Sequence, residues 1–297
     1  MNDVRPQIPE QSPQAEDEPR ERFFTPLTAV VALLLVICFA PYLAWMWEIW
    51  MRSDYYGHGP LIPLIAAYLV YARRKDLAQA ARGFSFWGIP LVLLGLALYA
   101  LTVYRNVNFP QGFAMILVLG GLVLLLWGRD VGRLLLFPVT YLVFMVPVDR
   151  LLVTKLSLPL QTHAAAIAAT VVSFVGMPVH LQGTTIVIPD YTFEVAQACS
   201  GLKSSIAMTA LAALFAYLVA APLWKRIVLF LSGPPVALAA NAVRITLTLI
   251  LGRAFGQAAA EGFFHTLSGL LVFVLGLAGL FGVARLLRCD RMRDDIW

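Results

Sequence analysis

Residues 26–47 read PLTAVVALLLVICFAPYLAWMW, 22 positions without a charged side chain. At 1.5 Å per residue such a helix is about 33 Å long, enough to cross a hydrocarbon core of about 30 Å. Working outward, the whole chain has that character. It has 297 residues, 60% hydrophobic and 13% charged, with a mean hydropathy of +0.78. A soluble domain is about 45–50% apolar and about 25% charged. One water-soluble core is excluded, and so is intrinsic disorder, which needs the opposite balance. Of 17 acids, six fall in residues 1–25 and three in 285–297. From 26 to 284 there are only Glu48, Asp54, Asp76, Asp130, Asp149, Asp190, Glu194 and Glu261. Each punctuates a long apolar run.

Residues 1–25 are polar, acidic and proline-containing, and read as a disordered tail. The run after them is too long for the apolar part of a cleavable signal peptide. Further apolar segments follow at about 60–72, 84–103, 112–127, 134–148, 199–221, 227–250 and 263–284. The segment at 227–250 has Pro234-Pro235 as a kink or break near its start. Residues 179–195 are β-branched, with Gly183 near the middle and Pro189-Asp190 at the end, and predict a small hairpin outside the membrane.

Positive charge in short loops sets orientation. Arg73, Arg74, Lys75 and Arg82 mark one side, and Arg129 and Arg133 recur there two segments later. Lys225 and Arg226 follow, then Arg285, Arg288, Arg291 and Arg293. With that side cytoplasmic, both termini are inside and 150–198 is an extracytoplasmic insert. Parity then makes 150–175 an interfacial or re-entrant helix. The expected fold is an all-α polytopic membrane protein: about eight transmembrane helices, that extra helix and the hairpin. Residues 26–284 form the membrane domain, and 285–297 form a cytoplasmic tail. The net charge of +5 reports orientation, since no basic stripe is interleaved with aromatics as nucleic-acid binding requires. The expected partners are lipids and proteins, with no cofactor and no metal.

Three polar residues reach the outer boundary on this topology. Cys199 lies in ACSGLKSS, expected to open its helix. A helix start, Lys203 at i+4 and an imidazole each favour a thiolate, the nucleophilic form. An arbitrary membrane Cys is more often an inert small residue, and Cys38 and Cys289 keep that reading. Arg244 lies in NAVRI, about two turns from the expected end of its helix. It either anchors at the interface or stabilises an oxyanion, with Asn241 on its face. His265 lies in EGFFHTLS, where Glu261 at i−4 can orient the ring. A lone His is more often structural, as His163 and His180 are expected to be. His58, in YGHGP, either joins the site or caps the second segment. Glu194 and Gln197 approach Cys199 from the hairpin. The sequence has no HExxH, GxSxG or GxxxxGK[ST], which argues against an embedded metalloprotease or a nucleotide-driven pump.

At Ala198-Cys199-Ser-Gly-Leu202, Asn241-x-x-Arg244-Ile245 and His265 the sequence resembles the exosortase/archaeosortase family of membrane cysteine transpeptidases. Tyr56-Gly-His58-Gly-Pro60-Leu-Ile, Tyr68-Leu and Arg73-Arg74 add to the resemblance, which covers about residues 26–284. It implies Cys199 as nucleophile, with Arg244 and His265 completing a triad. Many members carry an acid where Gln197 stands, so Glu194 or Glu261 serves in its place. The implied substrates are exported, membrane-anchored proteins ending in a short motif (often Pro-Glu-Pro), a helix and a basic tail. A Cys199 thioester is then resolved by an acceptor amine, by water, or by a glycan or lipid acceptor. Such an enzyme sits in the cytoplasmic (inner) membrane with its site facing the exterior. The competing expectation is a non-enzymatic component of polysaccharide or lipid-carrier export, which needs no Cys–Arg–His set.

Overall fold

The computed structural model describes residues 26–294 except 54, 149, 189–190, 196–200, 257–262 and 290. The predicted disordered tail, and the expected site residues Gln197, Cys199 and Glu261, lie outside the described residues. The helices are α1 Pro26–Arg52, α2 Leu61–Ala72, α3 Arg74–Gln79, α4 Gly88–Tyr104, α5 Phe109–Tyr141 and α6 Arg150–Phe174. They continue with α7 Leu202–Leu218, α8 Leu223–Leu231, α9 Gly233–Phe255 and α10 Phe263–Leu286. Five runs are long and apolar enough to cross a membrane: Pro26–Arg52, Phe109–Met145, Leu152–Phe174, Leu223–Phe255 and Gly269–Leu286. Leu61–Ala72, Gly88–Tyr104 and Leu202–Leu218 are apolar but shorter. These lengths do not establish the expected eight spans.

The segments expected at 112–127 and 134–148 are the two limbs of α5. Gly128 (φ +84°) breaks the helical path between them. A straight helix would hold residues 120 and 139 about 28 Å apart. Instead a Cβ on Gly120 would lie 3.6 Å from Val139 Cγ1, so α5 folds back on itself. Its first limb packs tightly on α4. Gly88 and Gly95 leave no room for a Cβ against the backbone of Gly121 and Ala114. Small residues let helix backbones approach in this way where lipid gives no hydrophobic drive. The central core joins Phe39, Tyr42 and Met46 of α1 to Ile62 of α2, Ala114 of α5 and Ala210 of α7.

Residues 150–174, expected as an interfacial or re-entrant helix, form one α-helix of 25 residues containing Pro159. A continuous helix cannot enter and leave by the same face, so the re-entrant alternative is corrected. Of this helix, Leu152–Phe174 has the length and composition of a span. The predicted hairpin is also corrected: the sheet has three antiparallel strands, β1 His180–Gln182, β2 Thr185–Ile188 and β3 Tyr191–Glu194. Gly183 turns between β1 and β2 with φ +63°. Beyond Pro189-Asp190, read as the hairpin's end, β3 pairs with β2 and sets Tyr191 opposite Ile188. The sheet's inner face (Ile186, Ile188, Phe193) packs with Ala164, Ala168 and Val172 of α6 and Ile245 and Leu249 of α9.

The basic loops gather at one end. Arg73 and Arg293 flank the Tyr217 ring, at 5.4 and 5.2 Å from its centroid. Phe137 stacks on the same ring at 3.8 Å. The chain after α10 docks here too: Ala220 N–H donates to Arg291 O (2.9 Å) and Arg293 N–H to Leu218 O (2.8 Å). The residues expected as a cytoplasmic tail therefore include a strap across the end of α7.

Candidate active site at the start of α7

Helix α7 runs antiparallel to the combined run of α8 and α9 in a register that three contacts define. Arg226 Nε donates to Ala216 O at 2.7 Å. Gly233 lies against Thr209, with room for a Cβ only 3.0 Å from its Cα. Gly201 lies against Asn241, with room for a Cβ only 3.2 Å from its Nδ2. The residue numbers of each pair have the same sum, as one uninterrupted antiparallel pairing requires. From Arg226 to Asn241 the rise is about 22 Å. The start of α7 is therefore separated from the basic end by most of a hydrocarbon core.

Cys199 was expected to open this helix. The helix begins three residues later, at Leu202. Gly201 is its left-handed N-cap (φ +79°), and its carbonyl accepts the first intrahelical bond, from Ser205 N–H at 2.8 Å. A left-handed residue between them removes the helical i+4 relation expected for Lys203 and residue 199. Lys203 is exposed on the first turn of α7. The N–H groups of a first turn lack intrahelical acceptors and point back along the axis, toward the chain that precedes Gly201.

Asn241 is fully buried, at 0% exposure, directly beneath Gly201. Arg244 is half-buried and three residues on, on the same face of α9. Its carbonyl accepts from Thr248 Oγ1 at 3.0 Å. Helix α9 continues to Phe255, past the expected end at 250. Arg244 is thus about 16 Å from the end of its helix, not about 9 Å.

Two contacts fix the level of α10: Gly276 lies against Met208 of α7, and Gly279 against Val236 of α9. Counting back along α10 from either contact places residue 265 beyond the level of Gly201, away from the basic end. Glu194 ends β3 opposite Thr185. Val195 is buried in the cluster that holds Ile245 and Leu249. His163 Nδ1–H donates to Pro159 O (2.6 Å) on the exposed face of α6, and His180 is exposed on β1. Neither approaches Gly201 through any described contact. Among the described residues, no three His, Cys, Asp or Glu side chains gather as metal ligands.

The loop between α1 and α2 carries His58 within reach of the Lys203 charge on the first turn of α7. Trp50 Nε1 donates to Met145 O at 3.0 Å, and the Trp50 indole covers Gly59 so closely that a methyl group there would overlap it. Val148 N–H donates to Tyr56 Oη at 2.8 Å. The His58 ring sits 6.3 Å from that of Tyr56. Burial is the main force lowering its proton affinity, and the nearby Lys203 charge adds to it, while the Phe144 backbone works against both. Beside this loop opens a cleft of about 620 Å³, lined among others by Trp45, Arg52, Tyr55, Asn106 and Val148.

A membrane bundle with small-residue helix packing, a buried Asn241 beneath the start of an apolar helix and basic loops at the opposite end defines a class: polytopic membrane proteins. The chain belongs to the transmembrane exosortase family, whose family model matches residues 50–282. No curated protein and no solved structure matches it significantly.

Proposed function

We propose that the protein is a membrane cysteine transpeptidase or protease that cleaves the C-terminal sorting signal of exported, membrane-anchored proteins. One observation carries this reading. Val195 and Gly201, the described residues on either side of 196–200, both lie against α9, on either side of Arg244. Val195 packs in the cluster of Ile245 and Leu249, and Gly201 rests on Asn241. Cys199 is two residues from Gly201, so covalent geometry alone keeps their Cα atoms within about 7–8 Å. On this reading the Cys199 thiol would share one short stretch of the bundle with a guanidinium and the N–H groups of a helix start.

The path follows from those groups. The Cys199 thiolate attacks the scissile carbonyl. The oxyanion faces Arg244. His265 protonates the leaving amine, and a thioester remains on Cys199. An acceptor amine, a glycan or lipid nucleophile, or water then attacks the thioester and releases the enzyme. The basic end faces the cytoplasm of the inner membrane, both termini are inside, and the site opens outward. A substrate helix anchored inside by its own basic tail would present its motif at this boundary. The nearby cleft, with Arg52 at its rim, is open to the segment leading into that motif.

Co-expression with an exported protein ending in motif, helix and basic tail tests this. Cys199→Ala and Cys199→Ser should abolish cleavage while membrane level and melting behaviour stay as in wild type. Undiminished cleavage by Cys199→Ala would end the proposal. Mass spectrometry of the product's new C-terminus then separates transpeptidation from hydrolysis.

A further inference from the structure

We propose that the basic end of the bundle holds a binding site for the phosphate of an anionic phospholipid, built from Arg73 and Arg293 around Tyr217. The inference is independent of the reading of Cys199. Three parts of the chain, distant in sequence, make the site. Arg73 follows α2 and is buried, at 7% exposure. Tyr217, in the last turn of α7, packs against Leu69 of α2. Arg293 is carried in by the strap after α10, which pairs Met292 with Val219 and donates Arg293 N–H to Leu218 O at 2.8 Å. Phe137 stacks on one face of the Tyr217 ring, at 3.8 Å and 2° from parallel. The guanidinium carbons of Arg73 and Arg293, 5.4 and 5.2 Å from the ring centroid, are thereby confined to the other face and the rim.

The C-terminal carbonyls of α7 favour a nearby cation, and Arg226 serves them, donating from Nε to Ala216 O at 2.7 Å. Two further guanidinium groups on one ring bring like charge together, and an anion between them offsets that repulsion. The chain around them is rich in positive charge: residues 285–293 hold four arginines and one acid. A guanidinium grips phosphate oxygens with a fork of paired N–H groups, so two of them suit a phosphate diester. Level selects a lipid as its source. Three exposed aromatics at this end each lie beside a cation: Tyr71 by Arg74, Trp87 by Arg129 and Trp224 by Lys225. Amphipathic rings and cations in this arrangement mark the headgroup level of a bilayer. Arg73 adjoins Arg74 in the chain, so the Tyr217 cluster lies at that level. Exposed apolar side chains lead from it toward the hydrocarbon, Leu64 and Tyr68 on α2 and Ile227 and Leu231 on α8. A free phosphate would use the cations alone, whereas a phospholipid also lays its acyl chains along these side chains. The bound phosphate ties the end of α2 to the C-terminal strap.

The test uses the full chain in detergent, stripped of lipid, with dissociation constants read by native mass spectrometry. The probes are phosphatidylglycerol, phosphatidylcholine and inorganic phosphate. Phosphatidylglycerol should bind roughly tenfold more tightly than phosphatidylcholine, and Arg293→Gln should weaken it about fivefold, the share of one cation. Arg133→Gln removes an exposed cation of the same end, paired with Asp130, and should leave the affinity unchanged. Equal affinity for the two lipids overturns the proposal. An equal loss in Arg293→Gln and Arg133→Gln also overturns it, since diffuse surface charge then does the binding. Inorganic phosphate that binds as tightly as phosphatidylglycerol, and competes with it, makes the ligand a free anion and overturns the lipid assignment. Should Arg293→Gln fail to fold, phenylglyoxal modification of the wild-type chain in nanodiscs decides. Phosphatidylglycerol should protect Arg293 about fivefold relative to phosphatidylcholine while Arg133 reacts equally in both, and equal modification of Arg293 overturns the site.

Discussion

Single residues fix the site's geometry through shape and proton affinity. Gly201 must be left-handed to end the loop on Asn241, and the left-handed conformation costs an L-residue roughly 1–2 kcal/mol. In Gly201→Ala that strain adds to a Cβ pressed within 3.2 Å of the Asn241 amide. The variant should lose cleavage activity far more than it loses melting temperature, measured together on one detergent preparation. At Gly59→Ala the new methyl meets the Trp50 indole, so overpacking should cost about 1–3 kcal/mol and lower the thermal midpoint. His58 makes a prediction in pH. Its folded proton affinity lies below the ordinary value of 6.5, so the unfolded chain binds more protons as pH falls. Stability is therefore full above about pH 6.5 and declines as pH drops through the folded value. The thermal midpoint should fall between neutral pH and pH 5, and His58→Gln should flatten that decline.

At the scale of elements, hydropathy makes helices legible and leaves their joints hidden. The apolar runs of α1, α2, α4 and α10 stand close to where residue composition puts them. Composition cannot show that Gly128 folds the two limbs of α5 together, because only the contact between Gly120 and Val139 reveals it. A Cβ at residue 128 would meet the Gly83 backbone at 2.8 Å with φ at +84°. Gly128→Ala should thus open the α5 joint and destabilise the protein by about 2 kcal/mol or more, read as a lower thermal midpoint. The start of α7 was misplaced for a related reason. ACSGLKSS has an unbroken helical look, but Gly201 rests against buried Asn241, a residue 40 positions away. The third strand escaped notice because Pro189-Asp190 carries a stop signal that serves equally well as a connection between paired strands.

For the whole molecule, the basic loops at one end and the residues at Gly201 at the other predict a labelling pattern. In a chain stripped of its own cysteines, Asn106→Cys should react with a membrane-impermeant maleimide on intact cells. Arg129→Cys and Arg288→Cys should react only after lysis, and the opposite pattern would reverse the proposed orientation. The candidate site was legible as far as its ingredients: Cys199, Arg244, His265, Asn241 and His58 each stand out as polar groups beside apolar runs. Desolvating a polar group is costly, so its presence in such a run marks it from sequence alone. The sequence by itself determined the solvent, the apolar segments and the sidedness of charge, because hydrophobicity and charge are carried residue by residue. Only the tertiary structure decided that α7 and α9 meet in the register that seats Gly201 on Asn241, and that the loop of His58 is clamped between Trp50 and Val148. Those pairings join residues dozens or hundreds of positions apart, and the shapes of packed side chains select them.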